Sequence, residues 1–329
     1  MKTSAQAEAP IHRRWGKTAL RLIVLGAVAW WVVRSADLEA FGAVLARLPV
    51  AIGLMAVGIA MGNMVLAGFR WRALMVAFGA RDLPPVVTLV RLFLIGQFYN
   101  TFVPGSVGGD VVRGAVSRAC FDSAAASYAV VASERLLGLS ALGLLFLFGF
   151  AAGPSIVDLA AIWPWIAAVI GLGVVVLVAG RLGHRLARIW AQIPRIVAPR
   201  GVVIAFGISV VGHGLTLGIF WLLAQGLQIE VGFAAIALAV PLGLVASIVP
   251  IAIAGIGPRE AALVGLLGLL GVGRESALAL SLTFAAVLIA LAAVGGLLQL
   301  GWGLRLETAP PEDTTEPERV MGEDERPSG

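Results

Sequence analysis

Residues 100–113 read NTFVPGSVGGDVVR, and they hold the densest set of groups able to do chemistry in this chain. Pro104 removes a backbone donor and ends a helix. Gly105, Gly108 and Gly109 permit turns that other residues cannot make, so this stretch reads as a helix break and hinge. Unpaired backbone groups are costly against lipid. Such a break therefore survives only where protein shelters it or where it lines a wet cavity. Asp110 and Arg113 stand three apart and share one face of a helix. Arg113 can meet a phosphate through two parallel hydrogen bonds, while Asp110 orients it or meets a cation. The plainer alternative is an interfacial loop with a solvated salt bridge.

Other segments add polar groups at membrane depth, where charged residues usually face a cavity. Arg91 precedes Gln97, Tyr99 and Asn100 within one apolar run. Asn100 reads as a site residue, and Arg91 either joins it or snorkels to the surface. Glu134 and Arg135 lie near the start of another run. Adjacent residues point in different directions on a helix, so these two should seek other partners, and Arg113 and Asp110 are the natural ones. Residues 250–263 read PIAIAGIGPREAAL. There Pro250, Gly255 and Gly257 form a second break, and Arg259 and Glu260 begin a short amphipathic helix. The expected head-group set is thus Arg91, Asn100, Asp110, Arg113, Glu134, Arg135, Arg259 and Glu260.

Other chemistries find little support. His12, His184 and His213 are scattered, and Cys120 is the single cysteine, so neither zinc spacing nor an internal disulfide is present. No P-loop and no G-x-S-x-G motif occurs. No metal, cofactor or catalytic residue is assigned, and the chain is read as a non-enzyme.

Composition says what must position these groups. Of the 329 residues 59% are hydrophobic and only 13% charged, about half the charge of a soluble domain. The apolar residues gather in runs long enough to cross a bilayer as helices, which takes about 20 residues. The alternating pattern of a membrane barrel is absent. Residues 18–305 hold eighteen arginines against ten acids, but the arginines flank apolar runs. They read as topology signals and lipid-phosphate partners rather than as a nucleic-acid surface.

The expected fold is an all-α polytopic membrane protein. A basic, disordered segment over 1–16 precedes a membrane domain over 17–305, and residues 306–329 form a disordered acidic tail. Full spans are expected at 17–35, 50–69, 127–153, 156–180, 201–227 and 277–302. Two re-entrant hairpins are expected, one from 86–103 into the first break and one from 233–253 into the second. Arginine bias places both termini on the cytoplasmic side of a cell membrane. Residues 181–200 form a basic connector with five arginines.

The chain also repeats itself. Gly62, Gly68 and Trp71 match Gly212, Gly218 and Trp221, which also sets Asn63 against His213. Val103, Pro104, Gly109 and Arg113 match Val249, Pro250, Gly255 and Arg259. Two halves, about 50–153 and 201–302, would then have opposite orientations. Inverted repeats with broken helices in corresponding places point to a transporter site near the midplane.

These segments, with SERLLGL at 133–139, resemble the flippase-like family named after the membrane half of lysylphosphatidylglycerol synthases. The resemblance covers about 18–302. It implies movement of lipids between leaflets, with aminoacylated phosphatidylglycerol, polyprenyl- or dolichyl-linked sugars and hopanoid-related lipids as substrate classes. It places Pro104, Gly109, Asp110 and Arg113 on the family's first motif, Glu134 and Arg135 on the middle one, and Gly255, Gly257 and Glu260 on the last. Asp110 departs conservatively from the Glu common at its position. The soluble aminoacyl-transfer domain of the full synthases is absent, which argues against lysyl transfer. The expected partners are therefore membrane lipids with anionic or glycosylated head groups. A cytosolic or membrane lipid-modifying enzyme is a further possible partner. The competing readings are a membrane-embedded glycosyl or phosphoryl transferase and a non-transporting partner subunit.

Overall fold

The computed structural model describes residues 46–102, 108–152, 196–247 and 258–301. Within them the chain is helical, with eight α-helices and one 3-10 turn. In chain order these are α1 (Val50–Ala77), α2 (Val86–Phe102), α3 (Gly108–Ser117), α4 (Ala124–Ala152), α5 (Pro199–Gly226), α6 (Phe233–Ala246), α7 (Pro258–Leu269) and α8 (Arg274–Gly301); the 3-10 turn, Arg118–Cys120, joins α3 to α4. The expected spans at 17–35 and 156–180, the connector, the tail, and Pro104, Gly105, Pro250, Gly255 and Gly257 lie outside the described residues.

Four helices, α1, α4, α5 and α8, are long and apolar enough to cross a membrane. At 1.5 Å per residue their 28 or so residues reach about 42 Å, beyond the roughly 30 Å hydrocarbon core. Leu54, Leu136, Val203 and Leu297 point away from the bundle, as a lipid-facing surface requires. The helix expected to stop at Phe69 runs on to Ala77, so Arg70 and Arg72 lie inside it. Hydropathy ends a span at the first arginine, whereas the backbone continues as long as its hydrogen bonds are met.

Proline starts and left-handed caps bound α1 and α5. Pro49 precedes α1 and Pro199 opens α5, each with φ already suited to a helix start. Gly79 (φ 75°) ends α1 and Gln228 (φ 55°) ends α5. In both, a six-to-one bond closes the turn: Ala80 N–H donates to the Met75 carbonyl and Ile229 N–H to the Ala224 carbonyl, each at 2.9 Å.

The packing has a pattern. Helix α1 lies along α5 in opposite sense. A methyl at Gly201 would stand 3.0 Å from Ala77 at the end of α1, and one at Gly226 would stand 2.9 Å from Ile52 at its start. In the first set α2 touches α1 and α3, and α3 touches α4; in the second α6 touches α5 and α7, and α7 touches α8. Across the sets α2 packs on α8 and α6 on α4. Each crossing uses a glycine. A methyl at Gly149 would come within 2.5 Å of the Ala237–Leu238 peptide, and one at Gly295 would strike the Leu94 carbonyl oxygen. Only residues without a Cβ let the long helix approach the short one's backbone this closely.

Candidate functional site

Helix α3 brings its own pair together. Arg113 Nη2 donates to Asp110 Oδ1 at 2.5 Å across the three-residue spacing. Successive residues of α4 diverge by about 100°. Glu134 and Arg135 therefore address different groups. Glu134 Oε2 accepts from Arg113 Nη1 at 3.0 Å, and Arg135 Nε donates to Asp110 Oδ2 at 2.6 Å with its Nη2 2.5 Å from the same oxygen.

The chain of ion pairs continues to α1. Arg70 Nη2 donates to Glu134 Oε1 at 2.5 Å, and its Nη1 reaches Ser209 Oγ of α5 at 3.4 Å. Arg70 Nε is buried without a hydrogen-bond partner. Five side chains thus alternate in sign: Arg70, Glu134, Arg113, Asp110, Arg135. Glu134, Arg113 and Asp110 are buried, Arg70 is mostly buried at 17% exposed, and the Arg135 side chain is 45% exposed. Two aromatic groups fix the central guanidinium. Arg113 Cζ lies 4.1 Å from the Phe93 ring centroid and 5.4 Å from that of Trp71. Those two rings meet edge to face at 5.4 Å. Cation–π contacts of this kind strengthen where water is excluded.

Neighbouring polar contacts hold the backbone beneath this network. Gly109 N–H donates to Asn100 Oδ1 at 2.9 Å. A Cβ on Gly109 would stand 2.5 Å from the Gly96 carbonyl oxygen, so α2 and α3 cross backbone to backbone. Gly108 and Gly109 thus form the first turn of α3, and residues 103–107 before them lie outside the described residues. Ser117 and Ser127 bond to each other at 2.9 Å, and Ser127 also donates to the Gly114 carbonyl, tying α3 to α4.

A cavity of about 330 Å³ opens between the two sets of helices. Arg70, Asn100, Arg113, Glu134 and Arg135 line it from one side, and His213 and Thr216 of α5 and Ser247 from the other. Asn63 and Gln97 complete its polar wall, and Leu139, Leu142, Phe284 and Leu288 its apolar part. Asn63 Nδ2 donates to Thr216 Oγ1 at 3.4 Å across the gap. The arrangement offers guanidinium donors to an anion beside an apolar wall. Among the described residues no group of three His, Cys, Asp or Glu is placed to hold a metal ion.

The remaining expected residues are elsewhere. Asp110 holds Arg113 and Arg135 but is not part of the cavity wall. Arg91 is half-buried on α2 and also lies off that wall. Arg259 donates to Glu260 Oε1 from Nε (3.0 Å) and Nη2 (2.6 Å), and Ser281 Oγ donates to the same oxygen at 2.9 Å. Arg259 and Glu260 form a buried ion pair behind Phe284, whose ring centroid is 5.5 Å from Arg259 Cζ. Sequence reasoning missed Arg70, which reads as a flanking topology signal. Its signal is the spacing Arg70-Trp71: the arginine and a large aromatic arrive together in one apolar run.

The family described as Lysylphosphatidylglycerol synthase TM region matches residues 18–296. No curated protein and no solved structure gives a match. The matched range spans every described helix up to most of α8, including all five members of the ion-pair chain. With its four long apolar helices and the motifs at 100–113, 133–139 and 250–263, the chain is a membrane protein that belongs to the lysylphosphatidylglycerol synthase transmembrane-region family.

Proposed function

We propose that this protein is a lipid transporter that moves a polar-headed phospho- or glycolipid, or a lipid-linked intermediate, between the leaflets of a cell membrane. One observation carries the reading: a charged cavity, walled by Arg70, Arg113, Glu134 and Arg135, lies within a bundle whose long helices are apolar. A phosphate or sugar head group is strongly disfavoured in hydrocarbon. Guanidinium groups inside the bundle replace the lost water, while the acyl chains stay in lipid.

The same reading gives the architecture a purpose. Helices of 28, 17, 10 and 29 residues are followed by helices of 28, 14, 12 and 28, with equivalent neighbours in both sets. Gly149 and Gly295 occupy matching places, as do the caps at Gly79 and Gln228. These features, with the antiparallel α1–α5 pair, support two inverted repeats about an axis near Asn63 and Gly212. Helices α2 and α6 reach about 26 and 21 Å, short of a full crossing, which supports re-entrant hairpins ending at the two Pro-Gly motifs. Both termini are assigned to the cytoplasmic side by arginine bias. Without a nucleotide motif, transport is passive or ion-coupled.

Reconstituted liposomes with a fluorescent lipid in both leaflets test the proposal, since dithionite bleaches only outer-leaflet probe. The wild type is expected to expose inner-leaflet lipid to bleaching, and Arg113→Ala to abolish that exposure. Wild-type flipping by folded Arg113→Ala would remove the site assignment, and no flipping by the wild type across head-group classes would remove the function.

A further inference from the structure

The charges around the cavity do not balance. Three guanidinium groups, Arg70, Arg113 and Arg135, share two carboxylates, Glu134 and Asp110. Counting His213 as neutral, one positive charge is left over among the described residues. An unmatched charge at membrane depth is costly until a counter-charge arrives.

The open donors identify where that counter-charge sits. Arg113 reaches the cavity but its donors are spent: both terminal nitrogens hold carboxylates, and Phe93 and Trp71 lie against its guanidinium. Arg70 keeps a buried Nε without a partner, and its Nη1 has only the long contact to Ser209. Arg135 spends Nε and Nη2 on a single carboxylate oxygen and remains nearly half exposed. Both side chains line the cavity.

We infer that the cavity takes a ligand carrying one net negative charge, a phosphodiester, held by Arg70 and Arg135 while Arg113 serves as the positioning residue. This rests on reading the cavity as the head-group site. A zwitterionic head group brings an ammonium that restores the imbalance, and a dianion overshoots it.

The test is retention by the purified full chain in detergent, read by native mass spectrometry, with phosphatidylglycerol, phosphatidylcholine or phosphatidate added at pH 8. The wild type is expected to keep phosphatidylglycerol about tenfold over phosphatidylcholine. Arg70→Gln and Arg135→Gln each lower that preference about tenfold, the loss of one charge-assisted bond, and Arg135→Lys restores part of it. Asp110→Asn leaves two unmatched charges and shifts the preference to phosphatidate. Equal wild-type retention of phosphatidylglycerol and phosphatidylcholine overturns the inference, as does an unchanged preference in Arg135→Gln. Should Arg70→Gln fail to fold, wild-type selectivity and Arg135→Gln still decide. Competition by soluble glycerophosphoglycerol at matched concentration assigns the site to a free phosphodiester, and its failure assigns it to the lipid. Binding is read without flipping: selective binding with no scrambling sinks transport alone, and scrambling without charge selectivity sinks this inference alone.

Discussion

Replacing Glu134 by Gln keeps the shape of the side chain and removes a charge that two arginines share. Its two oxygens accept from Arg70 at 2.5 Å and Arg113 at 3.0 Å, and the side chain is 5% exposed. Gln retains one acceptor and turns an NH2 group toward a guanidinium. One charged hydrogen bond is therefore lost outright and the other keeps its guanidinium donor but has a neutral acceptor; bonds to charged groups contribute about 1.5–3 kcal/mol each. Breaking a buried pair in a soluble protein costs about 3–5 kcal/mol. In a bilayer the unfolded reference also finds partners, which lowers the figure. The expected loss is about 2–4 kcal/mol. Cys120, the single cysteine, is 1% exposed, so a thiol-reactive dye reports unfolding of the detergent-solubilised protein on heating. Glu275→Gln, at an exposed position, is the control and shifts stability by under about 0.5 kcal/mol. If the two variants melt together, water serves these arginines and the network is not sheltered.

Three further outcomes are expected. Gly295→Ala drives a methyl into the Leu94 carbonyl and costs about 1–3 kcal/mol in the same melt, whereas Gly143→Ala, with nothing within 4 Å, is neutral or gains up to about 1 kcal/mol. Ala77→Cys with Gly201→Cys, in a Cys120→Ser background, forms a disulfide on oxidation, seen as a linked peptide pair by mass spectrometry. Ala77→Cys with Gly226→Cys forms none, and the reverse result would show α1 and α5 to be parallel. Asp122→Asn removes a 2.7 Å pair with Arg81 whose side chains are 66% and 74% exposed; it lowers stability by under about 1 kcal/mol, and a larger loss in the melt would place this pair in a sheltered site.

Much of this architecture is legible in one dimension because lipid imposes a simple rule. A segment that crosses hydrocarbon must be apolar and must satisfy its own backbone, so the runs at 50–69, 127–153, 201–227 and 277–302 mark α1, α4, α5 and α8 to within a few residues at most ends. The same rule makes Pro and Gly beside charge conspicuous, and it makes adjacent Glu134 and Arg135 seek separate partners. The end of α1 is the exception: a hydropathy boundary at Arg70 assigns that residue to the surface, although the helix carries it to Glu134.

What a linear reading could not supply is distance between segments remote in the chain. Arg70 and Glu134 are 64 residues apart, and Asn63 and Thr216 are 153 apart. Their meeting depends on how α1 lies against α4 and α5, and the close glycine crossings at Gly149 and Gly295 set how the other helices pack around them. Arg113 and Arg259 look equivalent in sequence, yet one reaches a cavity and the other is closed on Glu260 behind Phe284. Apolarity is a property of each segment and survives in the sequence. Charge balance in a cavity belongs to five side chains from three helices, and it exists only once packing has brought them within hydrogen-bond range.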